Sequence, residues 1–219
     1  LQAKVRDTVG ELATEIDGTG PITVVCGRGE ASEFVAGLLS EAGVEARNLA
    51  GGIEAWGQLV QARELDRGAL TLVQYRRPST GCLSYLLAGD GEGIVVDPLA
   101  ACVDRYVADA DERGVDILAV VDTHIHADHV SGLRELAAET GARRLLSAGA
   151  IARGVTFDVE TLTDGDELTV GQSTVAVRAL PGHTTGMIGL TVGDVVLSGD
   201  SLFLDSVARP DLEDETSVD

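Results

Sequence analysis

The segment 117–129 constrains this chain more than any other. Ile117, Leu118, Ala119, Val120 and Val121 form a short apolar run, and Asp122-Thr123-His124-Ile125-His126-Ala127-Asp128-His129 follows without a break. A short run of this kind, rich in β-branched residues, reads as a buried strand. Three of the chain's four histidines therefore leave the carboxyl end of one strand within six residues. Imidazole is intermediate in its burial preference, so histidines that serve only packing should be scattered. Neutral imidazoles with a neighbouring carboxylate are the donors of a catalytic transition-metal site. The fourth histidine, His183, sits in the turn Pro181-Gly182-His183-Thr184.

The surroundings of that run predict where other donors arrive. Strands are expected over 70–75, 82–88 and 93–97, separated by turns at Pro78-Ser79-Thr80-Gly81 and Gly89-Asp90-Gly91. A helix over about 101–113 precedes the apolar run. Another, carrying Leu133, Leu136 and Ala137, starts near His129, so Asp128 and His129 enter it. His124 and His126 share a face in a regular strand but stand apart along it, so joint metal binding demands an irregular loop. Strands over 168–170 and 174–180 follow, the second delivering His183. A pair over 189–192 and 194–197, turning at Gly193, delivers Ser198-Gly199-Asp200. Three strand ends thus supply two histidines and an aspartate.

The first sixty residues have a different texture. Val5, Val9, Leu12, Ala13 and Ile16 recur at helical spacing, and Gly18-Thr19-Gly20-Pro21 ends the element. A strand over 22–25 stops at Cys26-Gly27-Arg28-Gly29-Glu30-Ala31-Ser32, and a helix follows with Phe34, Val35, Leu38 and Leu39 on one face. Cys26 thus faces a helix N-terminus. Backbone N–H groups there, with the charge of Arg28, are expected to lower the thiol pKa and make a nucleophile able to carry sulfur as a persulfide. The polar stretch 61–68 reads as a linker between a domain over 1–60 and a second over 69–219.

Composition narrows the partners. The chain has 219 residues and 36 acidic side chains against 16 basic ones, for a net charge of −20, and Lys4 is its only lysine. So acidic a surface repels phosphate backbones, which argues against nucleic acid as a partner. Self-repulsion of that size is screened at about 1 M salt, where the Debye length is about 3 Å, so a salt-adapted protein is expected. No run of about 18 apolar residues is present, which argues against a membrane span. No basic segment leads into an apolar one as in a signal peptide. Cys26, Cys82 and Cys102 are odd in number and widely spaced, as in a reducing cytoplasm. Cys82, Cys102, Trp56 and Met187 read as packing residues.

Two resemblances add to this reading. Cys26 to Ser32, with the later Asn48-Leu49-Ala50-Gly51-Gly52-Ile53-Glu54-Ala55-Trp56, resembles the second half of a rhodanese domain, with Ala31 where that family usually has arginine. The set Thr123-His124-Ile125-His126-Ala127-Asp128-His129, Pro181-Gly182-His183-Thr184 and Ser198-Gly199-Asp200 resembles the metallo-β-lactamase superfamily over about 68–211. The expected architecture is an α/β rhodanese-like segment followed by an αββα sandwich with metal at the sheet edges. The chain begins without Met and stops soon after Asp211, so both ends read as cut short.

Within that superfamily the match looks best to the persulfide dioxygenase branch, through Gly199-Asp200-Ser201-Leu202-Phe203 and Arg209-Pro210-Asp211. That resemblance implies one Fe(II) per chain on His124, His183 and Asp200. His126, Asp128 and His129 then stand behind the ligands, and Arg209 lies near a substrate carboxylate. The substrate would be a low-molecular-weight thiol persulfide, oxidised by O₂ to sulfite, with Cys26 and Arg28 serving sulfur transfer. The rival is a two-zinc hydrolase of glyoxalase II type acting on thioesters. It would hold two Zn(II) per chain, with His124, His126 and His183 on one ion, Asp128 and His129 on the other, and Asp200 bridging. A purely metal-binding or sulfur-carrying protein is the third reading, and a homodimer is compatible with all three.

Overall fold

The computed structural model describes residues 2–16, 20–66, 68 and 70–209; Gly18, Thr19, Pro210 and Asp211, singled out above, lie outside them. The chain divides into two units, Leu1–Val60 with Arg77–Gly81, and Gln61–Arg76 with Cys82–Asp219. In the first, α1 (Gln2–Glu15), β1 (Ile22–Val24), α2 (Glu30–Glu41), β2 (Ala46–Asn48) and α3 (Gly52–Gln58) follow in order. β1 and β2 pair in parallel, Ile22 opposite Ala46. Val9, Leu38 and Leu39 are the buried centre, and Val5, Ala13, Ile16, Val24 and Val35 pack against them. The helical spacing of apolar residues in α1 and α2 makes that small core.

The second unit is built from two sheets. β3 (Gln61–Asp66), β4 (Thr71–Arg76), β5 (Leu83–Gly89), β6 (Glu92–Val96), β7 (Asp116–Asp122), β8 (Arg143–Ser147) and β9 (Glu160–Leu162) lie in that order across the larger sheet. Pairing is antiparallel from β3 to β6 and parallel from β6 to β9. The parallel part needs crossovers, which α4 (Val103–Arg113), α5 (Leu133–Thr140) and α6 (Ala148–Ala152) supply. The smaller sheet is an antiparallel meander of β10 (Glu167–Val170), β11 (Ser173–Ala179), β12 (Ile188–Val192) and β13 (Val195–Leu197). Leu72, Leu87, Ile94, Val96, Ala119, Val121 and Leu145 of the first sheet share one core with Leu168, Val170, Val175, Val177, Leu190 and Leu197 of the second. The core is aliphatic, as a 3% aromatic content requires.

Three expectations change. Gln61–Asp66, read as linker, is the edge strand β3, paired antiparallel with β4 so that Leu65 faces Leu72. An edge strand needs few buried side chains, and charged residues such as Arg63, Glu64 and Asp66 protect its open side; polarity there was the mark of an edge. Asp128 and His129 do not enter a helix. Residues 123–132 form an irregular loop, and α5 begins at Leu133. The loop is stitched to the end of β6: Gly132 N–H donates to Pro98 O at 2.6 Å, and Ala100 N–H to Val130 O at 2.9 Å. Gly132 passes so close that a Cβ would lie 3.0 Å from Ala100 N and Leu99 O, so the helix starts only after it. Finally, α4 and α5 pack on the larger sheet. Among the described residues no helix takes the smaller sheet as its main partner, so the helical layer of the expected αββα sandwich is seen on one side.

Candidate metal centre

β7 ends at Asp122 and hands the chain to the histidine loop. The first residue, Thr123, is buried, and both its N–H (2.7 Å) and its hydroxyl (2.9 Å) donate to the carboxylate of Asp97. A hydroxyl carries one proton, and a carboxylate only accepts. Toward His124 Nδ1, 2.9 Å away, Thr123 Oγ1 is therefore the acceptor, and Nδ1 bears the ring proton. His124 Nε2 keeps its lone pair and lies 3.7 Å from Asp200 Oδ2. His183 Nε2 lies 3.5 Å from the same oxygen. One donor atom from each of His124, His183 and Asp200 falls within 4.8 Å of the other two. Burial, then the neighbouring His126, lowers the His124 pKa to about 4, so its ring is neutral at pH 7. Two imidazoles and a carboxylate converging, with the buried ring locked in the tautomer that leaves Nε2 bare, fit a transition-metal ion.

Local structure brings the distant donors in. Ile188 N–H, opening β12, donates to Thr123 O at 2.9 Å, and Leu180 N–H to Met187 O at 3.0 Å. These bonds pin the 181–187 turn, and with it His183, beside the histidine loop. Asp200 sits in a single 3₁₀ turn, Gly199–Ser201, following β13. Gly199 has φ of +47°, and a Cβ there would stand 2.6 Å from both Thr123 Oγ1 and the Met187 side chain. Only glycine lets that turn approach the loop.

The other motif residues take a different place. His126 Nε2 lies 3.2 Å from Asp97 Oδ1 and 3.9 Å from Asp122 Oδ1. Burial alone would lower its pKa, but the hydrogen bond and charge of Asp97, with Asp122 and Asp128, outweigh it and raise the value to about 9. Asp97 itself moves below the usual carboxylate range, its burial offset by His126 and the Thr123 N–H. Burial raises Asp122 to about 7, and Ser131 Oγ donates to it at 2.6 Å. Asp128 accepts from Cys82 and pairs with His129. Asp97 escaped the sequence reading. Its signal was an Asp-Pro pair directly after the apolar run of β6, and in the fold it adopts φ of +51°, a conformation rare for a residue with a side chain.

Cys26 stands where expected, after β1 and before α2. Gly29 N–H lies 3.1 Å from its Sγ, and Ser32 Oγ lies 3.2 Å away. The thiol pKa falls to about 7, through the Ser32 hydroxyl first and then backbone N–H groups of the loop. Arg28 does not supply the charge assigned to it. Its guanidinium is exposed and pairs with Glu54 at 3.1 Å, and the lowering comes from Ser32 and backbone amides. Gly52 is required here, since a side chain would run into the carbonyls of Cys26 and Gly27. Arg209 is exposed, one residue beyond Ala208, whose N–H donates to Ser201 O at 3.2 Å. That bond returns the segment to the turn holding Asp200. A cavity of about 540 Å³ lined by Glu64, Asp90, Glu112 and Arg113 lies at the opposite end of β7 and has no part in this centre.

A two-sheet sandwich with metal donors on the loops of one rim defines a metal-binding protein. The chain belongs to the metallo-beta-lactamase superfamily, whose profile matches residues 77–218. It is 42% identical over 118 residues to a hydroxyacylglutathione hydrolase of Cereibacter sphaeroides, covering 52% of this chain and 45% of that one. It is 30% identical over 156 residues to the mitochondrial persulfide dioxygenase ETHE1 of Homo sapiens, covering 67% and 58%. The crystal structure of ETHE1 from Myxococcus xanthus superposes with a TM-score of 0.56 at 28% identity, over 68% of this chain and 61% of that one. The chain thus spans roughly half the length of the curated relatives it matches.

Proposed function

We propose that this chain is a persulfide dioxygenase-like enzyme that oxidises a low-molecular-weight thiol persulfide with O₂, releasing sulfite and the thiol. His124, His183 and Asp200 would hold one Fe(II). The observation that carries the reading is the division of the histidines: the Nε2 atoms of His124 and His183 approach one Asp200 oxygen, while His126 is taken by Asp97. With His126 engaged by Asp97, the set His124, His183 and Asp200 lacks the third histidine that one ion of the two-zinc centre would take. A ferrous ion on such a face supplies a redox centre with open positions for substrate sulfur and O₂. Asp97 and Thr123 keep His124 in its ligating tautomer. His126, Asp128 and His129 are positioned to orient that loop and to hold protons beside it. Arg209 is assigned to the carboxylate of the thiol carrier.

In the same reading residues 1–60 are a rhodanese-like domain, with Cys26 as the sulfur-carrying thiolate, and the protein is cytoplasmic and salt-adapted. No helix among the described residues is long and apolar enough to cross a membrane.

The 42% identity to a hydroxyacylglutathione hydrolase favours a second reading, a two-zinc hydrolase cleaving thioesters. Metal analysis joined to an oxygen electrode separates the two. The dioxygenase reading expects about one iron per chain and O₂ uptake with a thiol persulfide. Two zinc ions per chain, thioester hydrolysis and no O₂ uptake would overturn it. His129→Ala sharpens the result, because it removes a direct ligand in the hydrolase and leaves the iron content intact in the dioxygenase.

A further inference from the structure

Ser32 has one hydroxyl proton and three neighbours that could take it. Its Oγ lies 2.7 Å from Asn48 Oδ1, 3.0 Å from Gly29 O and 3.2 Å from Cys26 Sγ. The serine is 2% exposed, so bulk water does not settle the competition. A hydroxyl donates once and accepts through two lone pairs. If the proton goes to the Asn48 oxygen, a lone pair is left facing Cys26, which suits a protonated thiol and does nothing for a thiolate. If Asn48 offers its NH₂ instead, Ser32 accepts from it and the proton is free to point at sulfur. Both groups sit on one amide carbon, and a half turn about its last bond exchanges them. Gly29 O cannot switch in this way, because it is fixed backbone and already accepts from Glu33 N–H at 2.9 Å. Asn48 is held where it can act. It ends β2 opposite Val24, and the next residue ties the chain down, Leu49 N–H donating to Val24 O at 3.1 Å.

We infer that Asn48 is a positioning residue of the Cys26 site: its amide presents oxygen to Ser32 when Cys26 is a thiol and NH₂ when it is a thiolate, and so decides whether the Ser32 hydroxyl supports the anion. The inference rests on Cys26 being a reactive thiolate, as proposed above. A hydrogen bond to an ionised acceptor is about twice as strong as a neutral one, so the anion draws amide, hydroxyl and sulfur into line. The thiol proton leaves to solvent, and no other bond is made or broken. The charged groups on the elements around the loop are Arg28 and Glu54, paired at 3.1 Å, Arg47, paired with Glu45, and Glu30 and Glu33 in the first turn of α2. Among the described residues none of these side chains hydrogen-bonds the sulfur, whereas the Ser32 hydroxyl does and is the largest cause of the lowered thiol pKa.

Iodoacetamide is the probe, because it is uncharged. The rate of alkylation at Cys26 of the full chain is followed against pH, with the site read by peptide mass. Asn48→Asp puts an acceptor-only carboxylate in the same place. It should raise the midpoint by about one pH unit, with alkylation about tenfold slower below it, as loss of a hydrogen bond to a charged group implies. The carboxylate also adds charge, and the same substitution in a Ser32→Ala background separates the two causes: most of the Asn48→Asp effect should vanish there, whereas a bare charge would act undiminished. In the unsubstituted protein, isotopically labelled for NMR, the Asn48 NH₂ resonances should shift with the same midpoint as alkylation, and should stay in place in Cys26→Ser. That measurement needs no Asn48 variant to fold. An unmoved midpoint in folded Asn48→Asp, a shift that survives intact without Ser32, or NH₂ resonances indifferent to the ionisation of Cys26 overturns the inference. Sulfur transfer from thiosulfate is measured separately, so its absence would sink the sulfur-carrying role of Cys26 while the midpoints and resonances still judge Asn48.

Discussion

The cysteine loop and the histidine loop both hold reactive groups past the carboxyl end of a strand, and they do so by different means. Around Cys26 the work is local. Gly29 and Ser32 belong to the same seven-residue loop, and Asn48, whose side-chain Oδ1 lies 2.7 Å from Ser32 Oγ, ends the next strand. Backbone amides and one hydroxyl are enough to lower a thiol pKa. Around His124 the work is distributed. Its tautomer is set from the end of β6 by Asp97, the donor side chains that converge with it follow the ends of β11 and β13, and its loop is stitched to residues 98–100. A metal site needs donors converging from several directions, and one loop cannot provide them. A local site survives changes elsewhere; a distributed one fails wherever its frame is cut.

The largest effect should follow from removing a converging donor. His183→Ala is expected to abolish iron binding at the triad, read by metal analysis of the purified variant, while alkylation of Cys26 proceeds as before. Next comes the frame. Asp97→Ala strips a buried charge from His126 and the acceptor from Thr123, and a broken buried pair costs about 3–5 kcal/mol. Denaturant unfolding should show that loss together with a lower iron content. If stability were unchanged, the relay from Asp97 through Thr123 to His124 would not be what holds the loop. Gly199→Ala should be milder, about 1–3 kcal/mol for a side chain at positive φ. Its mark would be a loss of metal affinity out of proportion to the loss of stability, since Asp200 rides on that turn.

The local site is probed by pH. A thiol with a pKa of about 7 is mostly thiolate above pH 7 and mostly protonated below it. The rate of alkylation at Cys26 should therefore rise through a midpoint near 7. Ser32→Ala should move that midpoint upward, since the Ser32 hydroxyl is the largest cause of the lowering. Arg28→Ala should leave it close to where it was, because Arg28 is paired with Glu54. A midpoint that moved more with Arg28 than with Ser32 would restore the guanidinium to the role the sequence suggested. The smallest effect is global: with a net charge of −20, the melting temperature should rise with added salt as self-repulsion is screened. Equal stability in dilute and molar salt would remove the case for salt adaptation.

Much of the second unit was legible because its signals are periodic. Short apolar runs marked β5, β6 and β7, and the strand ends carrying His183 and Asp200 could be located to within a residue or two. β3 was not legible, because an edge strand has no inward face long enough to alternate, and its charges imitate a linker. The late start of α5 was also hidden, since it depends on hydrogen bonds to Pro98 and Ala100, about thirty residues upstream. Asp97 and Cys82 were hidden for the same reason. Each acts on a residue far along the chain, and neither spacing nor periodicity records such a partner.

The sequence by itself determined the donor inventory: four histidines, an aspartate at a third strand end, and an activated-cysteine loop in a separate unit. It also set a condition: His124 and His126 could share one ion only if the chain left β7 as an irregular loop. Only the tertiary structure decided how the donors were shared. His124 was turned toward Asp200 and His126 toward Asp97, although the two are separated by one residue. Strand periodicity assigns faces, but past the last regular residue direction is decided by whichever partner satisfies each buried polar atom. Asp97 meets Thr123 when β6 pairs with β7, and Asp200 joins them only when the two sheets have packed.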